Sequence, residues 1–116
     1  MSESILRDKS KEFAKRIILE MRKVSALYKE TVLTRQLLRS ATSIGANIHE
    51  AQYAQGRADF VSKLEIALKE CYESEYWLEL LFETQLLEED TYKDLYRECG
   101  TIRRMLIPSC TTIKEN

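Results

Sequence analysis

The single histidine, His49, lies in the stretch TSIGANIHEAQ (42–52), beside Glu50 and shortly after Ser43 and Asn47. An imidazole next to a carboxylate is equipment for proton transfer or metal binding. Downstream, Glu70, Glu73, Glu75 and Glu79 offer bridging carboxylates, and Cys71 among them offers a thiol. Each chemistry makes a demand on spacing. A carboxylate-bridged metal pair in a helical bundle needs acids from several helices and two Glu-x-x-His motifs. Here the lone histidine has no glutamate three residues before it. A catalytic thiol needs a base within reach, and Cys71 falls on an apolar helical seam, where a thiol acts as a small hydrophobe. Gly45, Gly56 and Gly100 stand apart, so there is no glycine-rich phosphate loop. No residue set nominates itself for catalysis, for a metal or for a cofactor. The four glutamates read as solvent-facing charge.

The polar residues of 42–52 have a second use. Ser40, Ser43, Asn47 and Glu50 recur at steps of three, four and three, which puts them on one helix face beside the apolar row. Partly buried there, an unpaired polar group costs roughly 1–3 kcal/mol, so each requires a partner. Such partners fix the register between helices. Ala41 and Gly45 alongside, facing Ala67, Cys71 and Ser74 further on, would let two helix backbones approach closely. Ser43, Asn47 and Glu50 are therefore expected to serve helix packing or a subunit interface.

These residues ride on four periodic segments, at about 8–30, 34–55, 57–84 and 88–107. The first repeats Ala14, Ile17, Met21, Val24 and Tyr28 at helical steps, with Phe13 and Ile18 beside them. Thr34 is the expected cap of the second, which continues as Leu37, Ala41, Ile44, Ile48 and Ala51 and stops at Gly56. The third keeps a heptad seam of Phe60, Leu64, Ala67, Cys71, Ser74, Leu78 and Leu81. Around that seam YWLELLF (76–82) is apolar on nearly every side, so Trp77, Leu80 and Phe82 need cover from another helix or another chain. The fourth runs Tyr92, Leu95, Cys99, Ile102 and Leu106, with Pro108 expected to end or kink it near Ile107. Segments of this length, joined by short links, make an all-α, antiparallel, up-down-up-down four-helix bundle in a single domain, 1–116.

The totals agree. With three glycines and one proline in 116 residues, long helices are favoured over sheet or disorder. Charge interrupts every apolar cluster, so no membrane span is expected, and MSESILRDKSK has no secretory core. Three cysteines without C-x-x-C spacing suit reduced cytoplasmic thiols. Charge is unevenly distributed. Residues 1–56 carry ten basic against six acidic side chains, and residues 57–116 carry eight against thirteen. Either the basic half meets nucleic acid, or the halves face one another within or between chains. The slightly acidic total favours the second. For the first, the contacts would come from Lys11, Lys15, Arg16, Arg22, Lys23 and Lys29, with Arg35, Arg103 and Arg104 extending the row.

The run QLLRSATSIGANIHEAQYAQGRADFVSKLEIALKECYESEYWLELL (36–81) resembles the four-helix-bundle proteins of bacterial 23S rRNA intervening sequences. Arg39, Ser40, Ser43, Ile44, Gly45, Ala46, Asn47, Ile48, Glu50 and Ala51 match one block, and residues 59–81 match a second. His49, often Arg or Ala in such proteins, a shorter link before the second helix, and Pro108 depart from the pattern. The resemblance implies a bundle assembled as a cyclic pentamer, without established enzymatic activity and without a cofactor. Similar bundles are accessory variability proteins of diversity-generating retroelements, which work with a reverse transcriptase and RNA. The resemblance thus implies self-association, with RNA or DNA, a reverse transcriptase or another protein as further partners.

Overall fold

The computed structural model describes residues 2–115, with the side chains of residues 5–110. Among these there are four helices and no strand: α1 (Ser2–Tyr28), α2 (Val32–Ala51), α3 (Arg57–Glu83) and α4 (Glu89–Glu115). Each helix packs on two others around a ring, α1 on α2, α2 on α3, α3 on α4 and α4 on α1, and the diagonal pairs face each other across the core without close backbone approach. The molecule measures 47 × 21 × 20 Å, one long helix by two helix diameters. Contacts run in opposite senses along neighbours. Arg39 meets Glu73 while Glu50 meets Lys63, and Glu79 meets Tyr96 while Glu75 meets Arg103.

The apolar stripes build one core. Phe13, Ile17 and Met21 of α1 join Leu37 and Ile44 of α2, Leu78 and Leu81 of α3, and Leu95, Ile102 and Leu106 of α4, all essentially inaccessible. Each such side chain contributes about 1.5–3 kcal/mol on burial, so these stripes drive collapse. All five apolar positions expected on α2 are buried. On α1 the stripe is instead Leu6, Phe13, Ile17, Met21 and Val24, while Tyr28 stays exposed beyond it.

Helix ends differ from the sequence reading in four places. α1 begins at Ser2, a turn and a half before residue 8. Thr34 does not cap α2. The Glu30 carboxylate does, accepting from the backbone N–H of Val32, Leu33 and Thr34 at 3.2, 2.9 and 3.1 Å, while Thr34 is buried and donates to the Glu30 carbonyl. A carboxylate satisfies several orphan donors at once and suits the positive end of the helix dipole. α2 stops at Ala51, and Gly56 precedes α3 in an extended conformation. α4 runs through Pro108 to Glu115. A proline forfeits one helical hydrogen bond, and burial of Leu106 and Cys110 on either side holds the helix to its path.

α3 closes with the Leu86 N–H donating to the Leu81 carbonyl at 2.8 Å and the Gln85 N–H donating to the Phe82 carbonyl at 3.0 Å. This six-to-one and five-to-two pairing puts Gln85 in the left-handed region at φ 67°, where a side chain crowds the following carbonyl. Gln85→Gly is expected to stabilise the fold by about 0.5–1 kcal/mol, read as a higher urea midpoint at unchanged slope. A lower midpoint would show that the Gln85 side chain contributes more than the strain it brings.

Candidate functional site

The polar row of α2 faces α3. Ser40 is fully buried, and its hydroxyl lies 2.9 Å from that of Ser74, also fully buried. One turn along, the Ser43 hydroxyl donates to Glu70 at 3.4 Å, and the Asn47 amide donates to the Ser43 carbonyl and hydroxyl at 2.8 and 3.1 Å. At the far end Glu50 takes Lys63 at 3.0 Å, which raises the lysine pKa through the hydrogen bond and the carboxylate charge. At the near end Arg39 pairs with Glu73 and approaches Glu70. Ser43 and Glu50 thus reach α3 along one seam, while Asn47 bonds back to Ser43 on its own helix. Gly45 is not part of it. A Cβ there would meet Ser10 of α1 at 3.6 Å, so the small residues of α2 serve two neighbours, Ala41 the core and Gly45 the α1 side.

The acids of α3 do not simply face solvent. Glu75 is buried against Arg103 of α4 at 2.8 Å, and the guanidinium, its pKa raised by that hydrogen bond, also lies over the Tyr72 ring at 5.5 Å. Glu79 accepts from the Tyr96 hydroxyl at 2.8 Å, which together with burial holds the phenol well above its usual pKa. Glu73 also accepts the Trp77 indole N–H at 2.9 Å. The sequence carried a signal for Glu75, which stands four residues after Cys71 and three before Leu78, on the seam itself. Acids placed there need counter-charges from neighbouring helices.

The expected apolar surplus of α3 is largely met within the chain. Phe82 stacks on Tyr92 of α4 at 4.4 Å with rings nearly parallel, and Tyr92 leans on Tyr96. Trp77 packs against the core and Leu80 is half-buried. The large apolar side chains left in solvent are different ones: Ile66, Tyr72 and Tyr76 on α3, Ile5 and Leu19 on α1, Leu27, Tyr28 and Val32 where α1 meets α2, Tyr53 after α2 and Ile107 on α4.

Of the basic positions on α1, Arg16 is held by Glu98 of α4, while Lys15 and Lys23 form exposed pairs with Glu12 and Glu20 one turn away. Lys11, Arg22 and Lys29 are exposed. Arg16–Glu98 and Arg39–Glu73 join the basic half of the chain to the acidic half, so part of the charge asymmetry is answered inside the bundle.

His49 and Cys71 do not meet. His49 is exposed, its ring 5.5 Å from that of Tyr53, whereas Cys71 is fully buried. The Cys99 thiol donates to the Cys71 carbonyl at 3.4 Å. Contact with Cys71 and burial push its pKa far up, so it stays protonated. Among the described residues no group of three or more histidines, cysteines or acids could hold a metal ion. The polar contacts of this seam pair α2 with α3.

If the serine pair sets register, a double-mutant cycle detects it. Ser40→Ala is expected to cost about 1–2 kcal/mol by leaving the buried Ser74 hydroxyl short of a partner, Ser74→Ala less because Ser40 keeps the Leu37 carbonyl, and the double variant clearly less than the sum. Strict additivity in urea unfolding would show that the two hydroxyls act independently.

The family model described as 23S rRNA-intervening sequence protein matches residues 2–108. A crystal structure of a protein with unknown function, from the S23 ribosomal protein family of Bacteroides thetaiotaomicron VPI-5482, is 46% identical in sequence. The match covers 98% of this chain and 99% of that one at a TM-score of 0.91. Among curated proteins no match is found.

Proposed function

The chain belongs to the family of 23S rRNA-intervening sequence proteins, and from that premise we propose that it is a non-enzymatic structural or adapter protein, assembled as a ring of five copies in the bacterial cytoplasm. The observation that carries this reading is the apolar surface left on helices at opposite corners of the bundle, α1 and α3. Leu19 of α1 is 54% exposed, and Tyr72 and Tyr76 of α3 are 50% and 53% exposed, although the core is closed. A ring uses two different patches of each subunit, and helices at opposite corners of a bundle supply two. The seam supports the same reading, because Ser40, Ser43, Arg39 and Glu50 are engaged in holding α2 to α3. Three buried free cysteines suit a reducing compartment, and among the described residues no helix is long and apolar enough to cross a membrane. Light scattering after gel filtration at micromolar concentration is expected to give the mass of five chains of 13.6 kDa. The mass of one chain would end this reading.

The exposed basic side chains of α1 favour a second reading, an accessory protein that binds RNA or DNA, alone or beside a reverse transcriptase or other protein. Lys15 and Lys23 are tied only to acids one turn away, pairs worth a few tenths of a kcal/mol, and are released to phosphate at little cost. Repeated around a ring, Lys11, Lys15, Arg22, Lys23 and Lys29 would form a basic rim, with Arg16 held back by Glu98. This reading expects a mobility shift at low salt that is lost steeply as salt rises and is weakened by Lys11→Glu with Arg22→Glu. Absence of any shift at low salt would reject it.

A further inference from the structure

Two grooves flank α1, and they differ in charge. The groove towards α4 is lined by Asp8, Lys9, Glu12, Glu98 and Thr101, three acids against one base. The groove towards α2, of about 540 Å³, has Arg7, Lys11 and His49 among its lining residues, and Asp8 as its acid. Asp8 stands on the crest between the two and belongs to both. Glu50, next to His49, is turned away to Lys63 of α3, and Glu12 is tied to Lys15. An anion that approaches α1 is therefore drawn to the α2 side.

That side also has room for one. Ala14, Gly45 and Ala46 form the floor, and their short side chains leave the space between the helices unfilled. The volume falls among clefts that hold small ligands, roughly 300–1,000 Å³. Donors stand on both walls, Arg7 and Lys11 on α1 and His49 on α2, so a group on the floor is met from two directions. Arg7 is half-buried and steadied across the groove by the Gln52 side chain, to which it donates at 2.5 Å. Lys11 and His49 are exposed and form no ion pair among the described residues. At the His49 end lies an aromatic ring. Tyr53 is 72% exposed, and its ring centroid is 5.5 Å from that of His49.

We propose that the α1–α2 groove holds the phosphate of a nucleoside monophosphate, with the base laid on Tyr53. A phosphate monoester carries about −1.5 to −2 charge near neutrality and three acceptor oxygens. That matches a guanidinium, an ammonium and an imidazole N–H converging from two helices. A planar base stacks on tyrosine whatever its identity, so the site reads the phosphate and the presence of a base, not which base. A free mononucleotide and the 5′-phosphorylated end of a strand offer the same chemistry. The groove is complete within one chain, so this site rests on neither reading above.

Calorimetric titration of the full chain with adenosine 5′-monophosphate tests it. Saturable binding at one site per chain is expected, with adenosine weaker by roughly tenfold or more for want of the charged contacts. Ala46→Glu, which sets a carboxylate on the floor, is expected to remove the binding. His49→Glu takes its place if circular dichroism shows that variant unfolded. Tyr53→Ala is expected to weaken the nucleotide about tenfold and to leave inorganic phosphate unchanged. Lys23→Glu, far along α1 in its pair with Glu20, leaves both unchanged. A single-stranded oligoadenylate, with and without a 5′-phosphate, distinguishes the sources. Displacement by the phosphorylated strand alone assigns the site to strand ends, and displacement by neither assigns it to the free nucleotide. Equal displacement by both overturns the proposal, because the groove would then read backbone phosphates. Adenosine binding as tightly as its monophosphate overturns it too, as does a folded Ala46→Glu that binds like wild type, or no binding at millimolar nucleotide.

Discussion

The contact between Ser40 and Ser74 constrains more of this molecule than its strength suggests. Both hydroxyls are wholly removed from water between α2 and α3. A made hydrogen bond of this kind contributes only about 1 kcal/mol net, less than one buried leucine. An unmade one costs as much or more. Ser40 also donates to the Leu37 carbonyl of its own helix at 3.3 Å, so a slide costs chiefly the Ser74 hydroxyl its partner, whereas leucine, isoleucine and alanine tolerate one. Once Ser40 finds Ser74, Ser43 reaches Glu70, Glu50 reaches Lys63 and Arg39 reaches Glu73. The stripes drive collapse and the seam decides how the helices align.

Fixing α2 on α3 also fixes what is left over. The acids that flank the seam are used at once, Glu75 by Arg103, Glu79 by Tyr96 and Glu73 by Arg39 and Trp77. A helix that looks acidic and greasy in sequence becomes a helix whose acids grip its neighbours and whose outermost aromatic residues stand free. The same packing seals Cys71 and Cys99 in the core, where contact with Cys71 and burial keep the Cys99 thiol protonated. Most of the acids that could do chemistry on α3 are engaged in holding helices together.

Much of this was legible in the chain. The steps of three and four in α2 placed Leu37, Ala41, Ile44, Ile48 and Ala51 in the core and the polar row beside them, because a helix turns by the same amount per residue wherever it is found. The resemblance over 36–81 rested on those same residues. Phe82, by contrast, looked unpartnered because Tyr92 lies ten residues away across a reversal, and nothing local announces that two such rings will stack. Glu30 as the cap of α2 was missed because serine and threonine are the usual cap residues and Thr34 was near, whereas the carboxylate reaches three N–H groups from outside the helix.

Sequence alone determined the four helices, their apolar stripes and the need for partners along Ser40, Ser43, Asn47 and Glu50, since each follows from periodicity and from the cost of burying polar groups. Only the tertiary structure decided which helix answers which. It gave the polar row to α3 and Gly45 to α1, covered Phe82 with α4, and left Tyr72 and Tyr76 outside. The reason is geometric: periodicity states which face of a helix must be hidden, but the neighbour that hides it is chosen by the packing of all four helices together.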